Sequence, residues 1–425
     1  MKEINTQNLK GVTDYYGKEQ LVRNKIINTL KETFENYGYM PLDSSILYNY
    51  DILAYKYQDG AEILNEIYTL TDQGNRKLGL RYDLTIPFCK IIANEKELRL
   101  PFRRYEIGKV FRNGPVKLGR CREFYQCDID VVGIEGTGIE VEQMMLVLNV
   151  FEKLGINIII KWNNRKLMSS LIKYIGIHEE QIDQVIGAID KLEKLNQEEL
   201  VQEFDKINID STTVDKLLDI FTKDINYYNT LTIDEPLYKE ALDEINELNN
   251  KLIKLNIQDK TKFTPTLARG LSIYTGTVFE FFDQDKRLTC SLGGGGRYNK
   301  IITDFISDGN TYPAVGLSFG LEPIYTILKE KYDKENLIDV YIIPLDTETE
   351  CIQLADKLRR NNINVLVELN KRKVKKSFEY ADKENIQHVI VVGSNEIESD
   401  TYTIKNMADG AQQSLTEEEL LQFFK

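Results

Sequence analysis

The sequence predicts an α+β domain with a mixed, mainly antiparallel sheet, a helical insertion within it, and a following α/β domain. Three observations lead to this fold class. The chain has 425 residues, which is too long for one ordinary hydrophobic core. Helical periodicity replaces strand-like alternation in the middle of the chain. At the C-terminal end, short apolar strands alternate with amphipathic helices.

The first zone, residues 1–165, mixes helices with strands. Apolar residues recur at helical spacing over Leu21–Tyr37, and Gly38 follows where a helix would stop. Further along, "RRYEIGKVFR" and "REFYQCDIDVVG" alternate polar and apolar residues as strands do. The loop between them carries turn-forming residues such as Asn113 and Gly114. These features predict a long antiparallel hairpin.

The middle and the end of the chain complete this division. Residues 166–259 have apolar residues at helical spacing and little glycine or proline, which predicts an all-helical insertion. Residues 260–330 return to strands and glycines, so we expect them to complete the discontinuous domain begun by residues 1–165. Residues 336–425 alternate strands such as "VYIIPL" and "HVIVVG" with helices, which is typical of a parallel sheet covered by helices.

The composition argues against several kinds of chemistry. The two histidines lie in a charged helical region (His178) and at the start of an apolar strand (His388), which disfavours Ser-His or Cys-His catalysis and histidine-based metal sites. The five cysteines match no zinc spacing, so we expect reduced thiols, no fixed metal site and a cytoplasmic protein. The charged N-terminal stretch and the lack of a long apolar run lead us to expect neither a secretory signal nor a membrane helix.

Cations are concentrated in the predicted hairpin, although the chain carries a formal net charge of −13. Residues 99–122 contain eight lysines and arginines and one acid, Glu106. Such a run is most often a solvated face, but here strand spacing puts cations, an aromatic ring, an amide and carboxylates on one face. That face consists of Arg120, Arg122, Phe124, Gln126, Asp128 and Asp130. It suits a ligand with a polyanionic end, a flat ring and a cationic end, such as a nucleotide beside an amino acid.

Three further segments are candidates for the same site, and each has a plainer alternative. Arg269 and Tyr274 lie in "ARGLSIYTGTVFE", which by itself is also compatible with an ordinary strand bearing a surface arginine. The run Gly293–Gly296 lets a ligand approach the backbone closely, or else forms only a tight turn. Asp83 and Thr85 in "GLRYDLTIPF" form an acceptor pair that would suit an ammonium group.

In this order, these segments resemble the class II aminoacyl-tRNA synthetases, and specifically the histidyl-tRNA synthetase family. "NYGYMPLDSSIL", with Pro41, is similar to the family's first, dimer-forming motif, and "GKVFRNG…GRCREFYQCDIDVVG" is similar to the second. "ARGLSIYTGTVFE" and "GGGGRY" resemble two segments peculiar to the histidine enzymes, and "AVGLSFGLEPI" lies at the position of the third motif. The last alternating unit resembles the family's anticodon-binding domain. The resemblance implies a class II catalytic domain with an appended RNA-binding domain.

The resemblance also implies an activity and its substrates. Members of the family join the carboxylate of L-histidine to the α-phosphate of ATP, release pyrophosphate, and transfer the histidyl group to the terminal ribose of tRNA(His). We therefore expect ATP with substrate-borne Mg²⁺, L-histidine, tRNA(His) and a second copy of the chain as partners, and no membrane. A cluster of cations in an acidic protein fits this expectation, because carboxylate and triphosphate are both anionic.

Roles for individual residues follow from the resemblance. Around ATP it implies Arg112 at the α-phosphate, Arg120 at the outer phosphates, Phe124 on adenine, and Arg269 as the catalytic arginine beside the histidine carboxylate. For histidine it implies Asp83, Thr85 and Gln126 at the amino group, Asp130 and Tyr274 at the imidazole, and Gly294 and Gly295 as the pocket floor. For the tRNA acceptor end it implies Lys117 and Arg122. The basic segment with Lys371, Arg372 and Lys373 is a second candidate tRNA surface, or merely a solvated helix.

The sequence departs from the family pattern at several positions. Pro323 stands where the third motif normally has an arginine that contacts ATP. Gly114 stands where the second motif usually has a glutamate, and Ser272 and Ile273 replace an aspartate and a tyrosine. The lost cation at Pro323 predicts weaker ATP binding, by about 1.5–3 kcal/mol at most.

Two other functions would use a similar histidine pocket. One is a catalytically silent relative that senses histidine as the regulatory subunit of an ATP phosphoribosyltransferase. The other is a synthetase-like module that only senses RNA. Retention of Arg112, Arg120 and Arg269, together with the complete last domain, favours the active ligase.

Overall fold

The computed structural model describes residues 4–55, 62–95, 97, 99–116, 120–192, 197–269, 273–332 and 336–424. The chain divides into two compact units. The first is built from the residues up to Asp14 and from Arg23–Ile327, and the second from Tyr15–Val22 and Leu328–Lys425. The first unit contains the predicted helical insertion as well as the mixed sheet, so a separate insertion domain over residues 166–259 stays a prediction.

An eight-stranded sheet organises the first unit. The strands of this unit are β1 (Met40–Pro41), β2 (Leu47–Asn49), β3 (Thr69–Thr71), β4 (Lys77–Leu80), β5 (Phe102–Phe111), β6 (Glu123–Val132), β7 (Ile158–Asn164), β8 (Thr261–Phe263), β9 (Thr277–Asp283), β10 (Gly293–Arg297) and β11 (Ala314–Gly320). The large sheet has the order β1-β5-β6-β11-β10-β9-β7-β8, and its parallel pairs lie at the two edges. β2, β4 and β3 form a separate antiparallel sheet. The predicted mixed, mainly antiparallel sheet is confirmed.

Helices cover the large sheet and fill the segment between β7 and β8, and their residues belong to the first unit except for residues 17–22 and Leu328. They are α1 (Gly17–Asn36), α2 (Tyr50–Ala54), α3 (Glu62–Glu66), α4 (Thr85–Asn94), α5 (Gly138–Leu154), α6 (Arg165–Tyr174), α7 (Ile182–Ile189), α8 (Gln197–Asp205), α9 (Ser211–Ile220), α10 (Ile225–Thr230), α11 (Pro236–Lys254), α12 (Asn299–Ile306) and α13 (Leu321–Leu328). α1 ends near the predicted position, because Gly38 takes a φ of 76° there.

One face of the large sheet packs against helices through an aromatic core. The ring centroid of Phe319 in β11 lies 5.6 Å from Phe34 of α1, 5.9 Å from Phe151 of α5 and 5.1 Å from Phe281 of β9. All four rings are fully buried. Because side chains alternate along a strand, the neighbouring Ser318 lies on the opposite face of the sheet.

β5 and β6 form the long antiparallel hairpin that the sequence predicts. Its register sets Arg104 directly opposite Asp130, and Glu106 directly opposite Asp128. One pair therefore joins a guanidinium to a carboxylate, whereas the next brings two carboxylates together. Like charges facing each other across a sheet destabilise it, so the second pair requires cations close by.

The second unit alternates strands and helices as predicted. Its elements are β12 (Val340–Pro344), α14 (Glu348–Arg360), β13 (Val365–Val367), α15 (Val374–Lys383), β14 (His388–Val392), α16 (Ser394–Ser399), β15 (Tyr402–Asn406), β16 (Gln412–Leu415) and α17 (Glu417–Phe423). The sheet order is β13-β12-β14-β15-β16. β13, β12 and β14 are parallel, and β15 and β16 extend the sheet antiparallel. The parallel prediction is therefore right for three strands, and a terminal hairpin adds two more.

Close packing within the large sheet leads to a stability prediction. A Cβ atom at Gly295 would lie 2.0 Å from the carbonyl oxygen of Gly316 and 2.5 Å from Cα of Leu317, which are backbone atoms of the adjacent strand. Gly295→Ala should therefore lower the free energy of unfolding by about 2–4 kcal/mol. The measurement is urea-induced unfolding followed by circular dichroism.

Gly187→Ala is the matched control, because nothing lies within 4 Å of the Cβ position at Gly187 in α7. This substitution should leave stability unchanged or raise it by up to about 1 kcal/mol, since alanine favours a helix over glycine. Equal midpoints for the two alanine variants would contradict the packing of Gly295.

Candidate active site

A cavity of about 180 Å³ lies on the sheet face that carries Ser318. It brings together eight residues that the sequence predicts for the site: Asp83, Thr85, Arg112, Gln126, Asp130, Arg269, Tyr274 and Gly294. The other lining residues are Tyr82, Asp128, Ile273, Tyr298, Gly316, Leu317 and Ser318. Segments far apart in the sequence thus converge on one small, polar space.

A row of polar side chains on β6 crosses this cavity. Gln126, Asp128 and Asp130 occupy alternate positions of the strand and so share one face. The Gln126 amide links its neighbours: Oε1 accepts a hydrogen bond from Arg112 Nη2 at 3.3 Å, and Nε2 donates to Asp128 Oδ1 at 3.3 Å. Nε2 also lies 3.3 Å from the Ser318 hydroxyl oxygen. The amide therefore couples a guanidinium to a carboxylate.

Arg104 lies fully buried beneath this row. Its Nη2 is 2.6 Å from Asp130 Oδ2, and its Nη1 is 3.7 Å from Glu106 Oε2. Nη2 also donates to the Leu84 carbonyl, just before α4, at 3.0 Å. The Tyr298 hydroxyl donates to the other oxygen of Asp130. A buried charge is tolerable only with such partners, so Arg104 is what allows carboxylates to sit here.

Burial shifts the acid–base properties of these groups. It raises the pKa of Asp128 to about 7, although the Arg104 guanidinium acts in the opposite direction. Burial likewise raises the pKa of Asp130, again opposed by Arg104. The pKa of the Tyr298 hydroxyl is raised by burial and by Asp130, so the phenol stays protonated and donates. Two carboxylates thus compete for one guanidinium, and a cationic ligand would complete the pairing.

Arg112 and Phe124 form a flat surface at one end of the row. Arg112 Nε donates to the Tyr82 carbonyl at 2.9 Å, which holds the guanidinium in place. Its Cζ atom lies 5.1 Å from the ring centroid of Phe124. A fixed cation beside an aromatic face suits a ligand with a phosphate next to a flat ring.

Arg269 enters the cavity from another wall. Its Nε lies 3.6 Å from Glu280 Oε1, and its Cζ lies 5.4 Å from the Tyr274 ring centroid. Its Nη1 makes no hydrogen bond within the described part of the chain. A Cβ atom at Gly294 would lie 2.7 Å from this Nη1, so the glycine makes room for the guanidinium. Gly295 packs against β11 instead and does not line the cavity.

Asp83 and Thr85 are positioned by the start of α4. Asp83 Oδ1 accepts a hydrogen bond from the backbone N–H of Ile86 at 3.0 Å, which satisfies one of the free donors of the first helical turn. Asp83 is only 7% exposed, and Thr85 is the first residue of the helix. The Asp83 side chain is therefore fixed at the cavity wall by the helix N-terminus, and Thr85 lines the same wall.

Three described residues of the second motif that the sequence assigned to ATP or tRNA do not line the cavity, namely Arg120, Arg122 and Phe124. Arg120 lies outside it, and its Nη2 is 2.8 Å from Glu66 Oε1. Arg122 Nε donates to the Gly114 carbonyl at 3.4 Å. Lys117 falls outside the described residues. Of the three arginines that the sequence predicts around a triphosphate, Arg112 and Arg269 line the cavity and Arg120 does not.

Glu66 also fills the space next to Gly114. A Cβ atom at Gly114 would lie 2.6 Å from Glu66 Oε1. The Glu66 carbonyl accepts a hydrogen bond from the backbone N–H of Asn113 at 2.7 Å, which fixes α3 against this loop. A carboxylate from α3 therefore stands where a side chain at position 114 would begin.

Only part of the basic segment of the second unit, residues 371–373, is available to a binding partner. Arg372 Nη1 lies 2.8 Å from Glu368 Oε2, and its Cζ lies 4.5 Å from the Tyr380 ring centroid. Lys371 and Lys373 are exposed on either side of it. The two lysines are thus available to an anionic partner, whereas the arginine is held within its own unit.

Sequence reasoning missed the buried charges below and beside the cavity. Arg104 and Asp128 belong to the predicted hairpin. The strand register, which sets Arg104 opposite Asp130, could have indicated an ion pair between these two residues. The contact between Glu66 and Arg120 joins residues 54 positions apart and has no counterpart in any local pattern. Tyr298 and Ser318 likewise reach the cavity through the sheet topology alone.

A second cavity, of about 750 Å³, lies among α10, α11 and β8. It is larger, but its lining is mainly asparagines, threonines and two lysines, and it has no arginine. Of these two cavities, the smaller one has buried carboxylates and guanidinium groups in its lining and the larger one does not, so the smaller cavity remains the candidate active site. Within the described ranges, no helix is long and apolar enough to cross a membrane, and no group of three or more histidine, cysteine or acidic side chains is arranged so that it could hold a metal ion.

Comparison with known proteins covers nearly the whole chain. The family model described as histidyl-tRNA synthetase matches residues 11–324, and the model described as anticodon binding domain matches residues 339–425. Histidine–tRNA ligase 1 of Bacillus cereus is 44% identical over 96% of both chains. Histidine–tRNA ligase of Clostridium tetani is 34% identical over 98% of this chain and 97% of its own length.

Solved structures agree with the sequence relatives. The crystal structure of histidyl-tRNA synthetase from Nostoc sp. PCC 7120 superposes over 100% of both chains with a TM-score of 0.86 and 26% identity. An ATP phosphoribosyltransferase regulatory subunit/histidyl-tRNA synthetase from Bacillus halodurans shares the fold, with a TM-score of 0.77 and 20% identity over 93% of this chain and 100% of that one. The predicted class II fold with a separate C-terminal domain is confirmed, and the chain belongs to the histidyl-tRNA synthetase family.

Proposed function

We propose that the chain is an active histidine–tRNA ligase that works in two steps. In the first step, a carboxylate oxygen of L-histidine bonds to the α-phosphorus of ATP, and the bond to the bridging oxygen breaks. The products are histidyl-adenylate and pyrophosphate. In the second step, a hydroxyl of the terminal ribose of tRNA(His) attacks the histidyl carbonyl carbon, and AMP and a proton are released.

The observation that carries this proposal is the meeting of Arg112 and Arg269 with three carboxylates, Asp83, Asp128 and Asp130, in one cavity. Attack of a carboxylate on a triphosphate brings anions together, so the reaction needs fixed positive charge where negative charge develops. The ammonium and imidazole N–H groups of histidine are donors, and carboxylates are their natural acceptors. The cavity therefore has both kinds of partner that the first step requires.

Individual roles follow from this arrangement and from the family. Arg112 would hold the α-phosphate with adenine on Phe124, and Arg269 would stabilise the charge that develops on the phosphoryl oxygens. Thr85 and Gln126, together with Asp83, would receive the ammonium group. Asp130 and Tyr274 would read the imidazole, where a lost hydrogen bond leaves a buried polar group unpaired and so rejects other amino acids. Gly294 keeps space open for the Arg269 side chain.

The outer phosphates of ATP would have fewer protein cations available than the α-phosphate. Arg120 would bind them after exchanging the Glu66 carboxylate for phosphate oxygens, and its half-exposed ion pair is of the kind that contributes little stability. Pro323, half-buried at the start of α13, offers no charge. Mg²⁺ arriving with ATP would supply the remaining positive charge as part of the substrate.

The remaining partners are proposed from the family. The chain would form a homodimer through the first motif, where β1 is an edge strand of the large sheet and Met40 is 63% exposed. The tRNA acceptor end would approach Lys117 and Arg122, and the second unit would bind the anticodon. Since tRNA charging serves translation, the enzyme would act in the cytoplasm.

Replacement of Arg269 provides the first test of this function. Arg269→Ala should reduce histidine-dependent ATP–pyrophosphate exchange by about 10³-fold or more, because the guanidinium acts on the transition state. Arg76→Ala is the matched control: this arginine is 74% exposed and pairs with Asp72 in a surface turn. It should keep wild-type exchange. Wild-type protein that binds histidine without any exchange would instead indicate the catalytically silent, histidine-sensing relative.

The ion pair of Arg120 leads to a prediction about ATP. Glu66→Gln should lower the KM for ATP by a few-fold, roughly 2–5-fold, because phosphate no longer competes with a carboxylate for the guanidinium. Arg120→Ala should raise the KM, and the double variant should behave like Arg120→Ala alone. A raised KM in Glu66→Gln would contradict the competition and show that Glu66 orients Arg120.

Exposed lysines of the second unit predict a salt effect. Binding of tRNA(His) should weaken steeply with salt, and Lys371→Ala and Lys373→Ala should each reduce the slope of log K against log [salt] by about 1. Filter binding at several salt concentrations measures these slopes. Arg372→Ala should mainly lower the melting temperature, because the buried carboxylate of Glu368 would lose its cation and keep only the Tyr341 hydroxyl and the Asn370 N–H as donors. Unchanged slopes for both lysine variants would mean that the segment is only a solvated surface.

A further inference from the structure

We infer that Asp128 is a further substrate-binding residue of the amino-acid pocket, and that its carboxylate binds the α-ammonium group of the substrate. The inference rests on the proposed ligase function. It adds a residue to the ammonium-binding set of Asp83, Thr85 and Gln126, and it is drawn from the contacts of Asp128 in this chain.

The position of Asp128 makes it available to a small cationic ligand. Its side chain lines the cavity, although the residue is only 4% exposed. Gln126 Nε2 lies 3.3 Å from one carboxylate oxygen and 3.4 Å from the other, so one amide group contacts both. A carboxylate offers about four acceptor positions. The Gln126 amide and the neighbouring Ser318 hydroxyl therefore leave Asp128 with acceptor capacity for a ligand.

The charge around Asp128 also favours a cation. The buried guanidinium beside it, Arg104, makes its close ion pair with Asp130 at 2.6 Å and a longer contact with Glu106. Asp83 adds a third carboxylate to the cavity wall. Glu106, directly opposite Asp128 on β5, is paired with the buried Arg81 at 2.8 Å. Asp83, Asp128 and Asp130 therefore share Arg104 as their buried cation, and an ammonium group would relieve this excess of negative charge.

The order of groups along β6 indicates which part of histidine reaches Asp128. Arg112 bonds to Gln126 at one end, and Asp130 bonds to Tyr298 at the other. Asp128 lies between them. Histidine carries its carboxylate and ammonium on the same carbon, with the imidazole one carbon further away. A carboxylate held beside the guanidinium groups therefore places the ammonium at Gln126 and Asp128 and the imidazole at Asp130.

This placement makes histidine binding depend on pH. In the free pocket, burial raises the pKa of Asp128 to about 7, with Arg104 opposing the shift. Asp130 and Asp83 favour the protonated form, Ser318 favours the ionised form, and Arg269 faces the carboxylate from the other wall. An ammonium group binds the ionised form. Affinity should therefore rise about tenfold between roughly pH 6 and pH 8 through this group.

The test compares wild-type protein with Asp128→Asn by calorimetric titration of three ligands. L-Histidine and L-histidinol carry the ammonium group, whereas imidazole lactate has a hydroxyl in its place. We expect Asp128→Asn to weaken binding of the two ammonium ligands by about 10–100-fold, to change imidazole lactate by less than about threefold, and to flatten the pH dependence. Asp243→Asn, at an exposed position of α11, is the matched control and should bind all three as the wild type does.

Thermal unfolding of the free proteins separates binding from a structural role. Because the pKa of Asp128 is higher in the folded protein than its ordinary 3.8, ionising this carboxylate disfavours the folded state. Asp128→Asn should therefore raise the Tm, and the gain should grow from about pH 4 to about pH 7 and then stay constant. A lower Tm at every pH would overturn the inference.

Three other outcomes of the binding measurements lead to different conclusions. Equal loss of all three ligands in Asp128→Asn would place this carboxylate at the imidazole and overturn the inference. Unchanged binding of histidine would overturn it too, while leaving the ligase function standing. Wild-type protein that binds no histidine would overturn both.

Discussion

The buried guanidinium of Arg104 is the interaction on which the rest of the site depends. It joins the two strands of the hairpin through Asp130, reaches Glu106 on its own strand, and holds the backbone before α4 through the Leu84 carbonyl. Glu106 also pairs with the buried Arg81 at 2.8 Å, but removing Arg104 would take the close cation away from Asp130 in a poorly solvated interior, which is strongly destabilising. The same contacts that anchor α4 to the sheet therefore also make an anionic pocket possible.

The two faces of the large sheet have different roles, one in packing and the other in the cavity. Aromatic rings on one face lock α1 and α5 against the strands, so the alternate residues of β6, β10 and β11 must line the other face. Arg112 lies beside Gln126 at one end of the β6 row, Asp130 lies at the other, and Arg269 faces Asp128 from another wall. The cavity thus offers cations to a triphosphate and carboxylates to an amino acid. Gly294 belongs to this design, because a side chain there would collide with Arg269.

One departure from the family pattern, Gly114 in the second motif, has a structural explanation. Gly114 lacks the usual carboxylate, yet Glu66 brings one to the same place from α3 and pairs it with Arg120. A carboxylate acts through its position and not through its place in the chain, so a residue from another element can occupy the same space. Pro323 has no such substitute on α13, so in the proposed ligase the outer phosphates would be bound by Arg120 and by Mg²⁺ carried by ATP.

The sequence by itself determined the features that depend on the spacing of apolar residues and on the chemistry of local motifs. Alternation predicted the hairpin, helical spacing predicted α1 and the helical segment, and the order of the motifs identified the family and most cavity residues. Only the tertiary structure decided that Arg120 pairs with Glu66, that Gly295 packs against β11 while Gly294 opens the cavity, and that Asp128 shares the floor with Asp130. These facts depend on strand register and on contacts between residues far apart in the chain, and neither of these produces a repeating pattern of residues in the sequence.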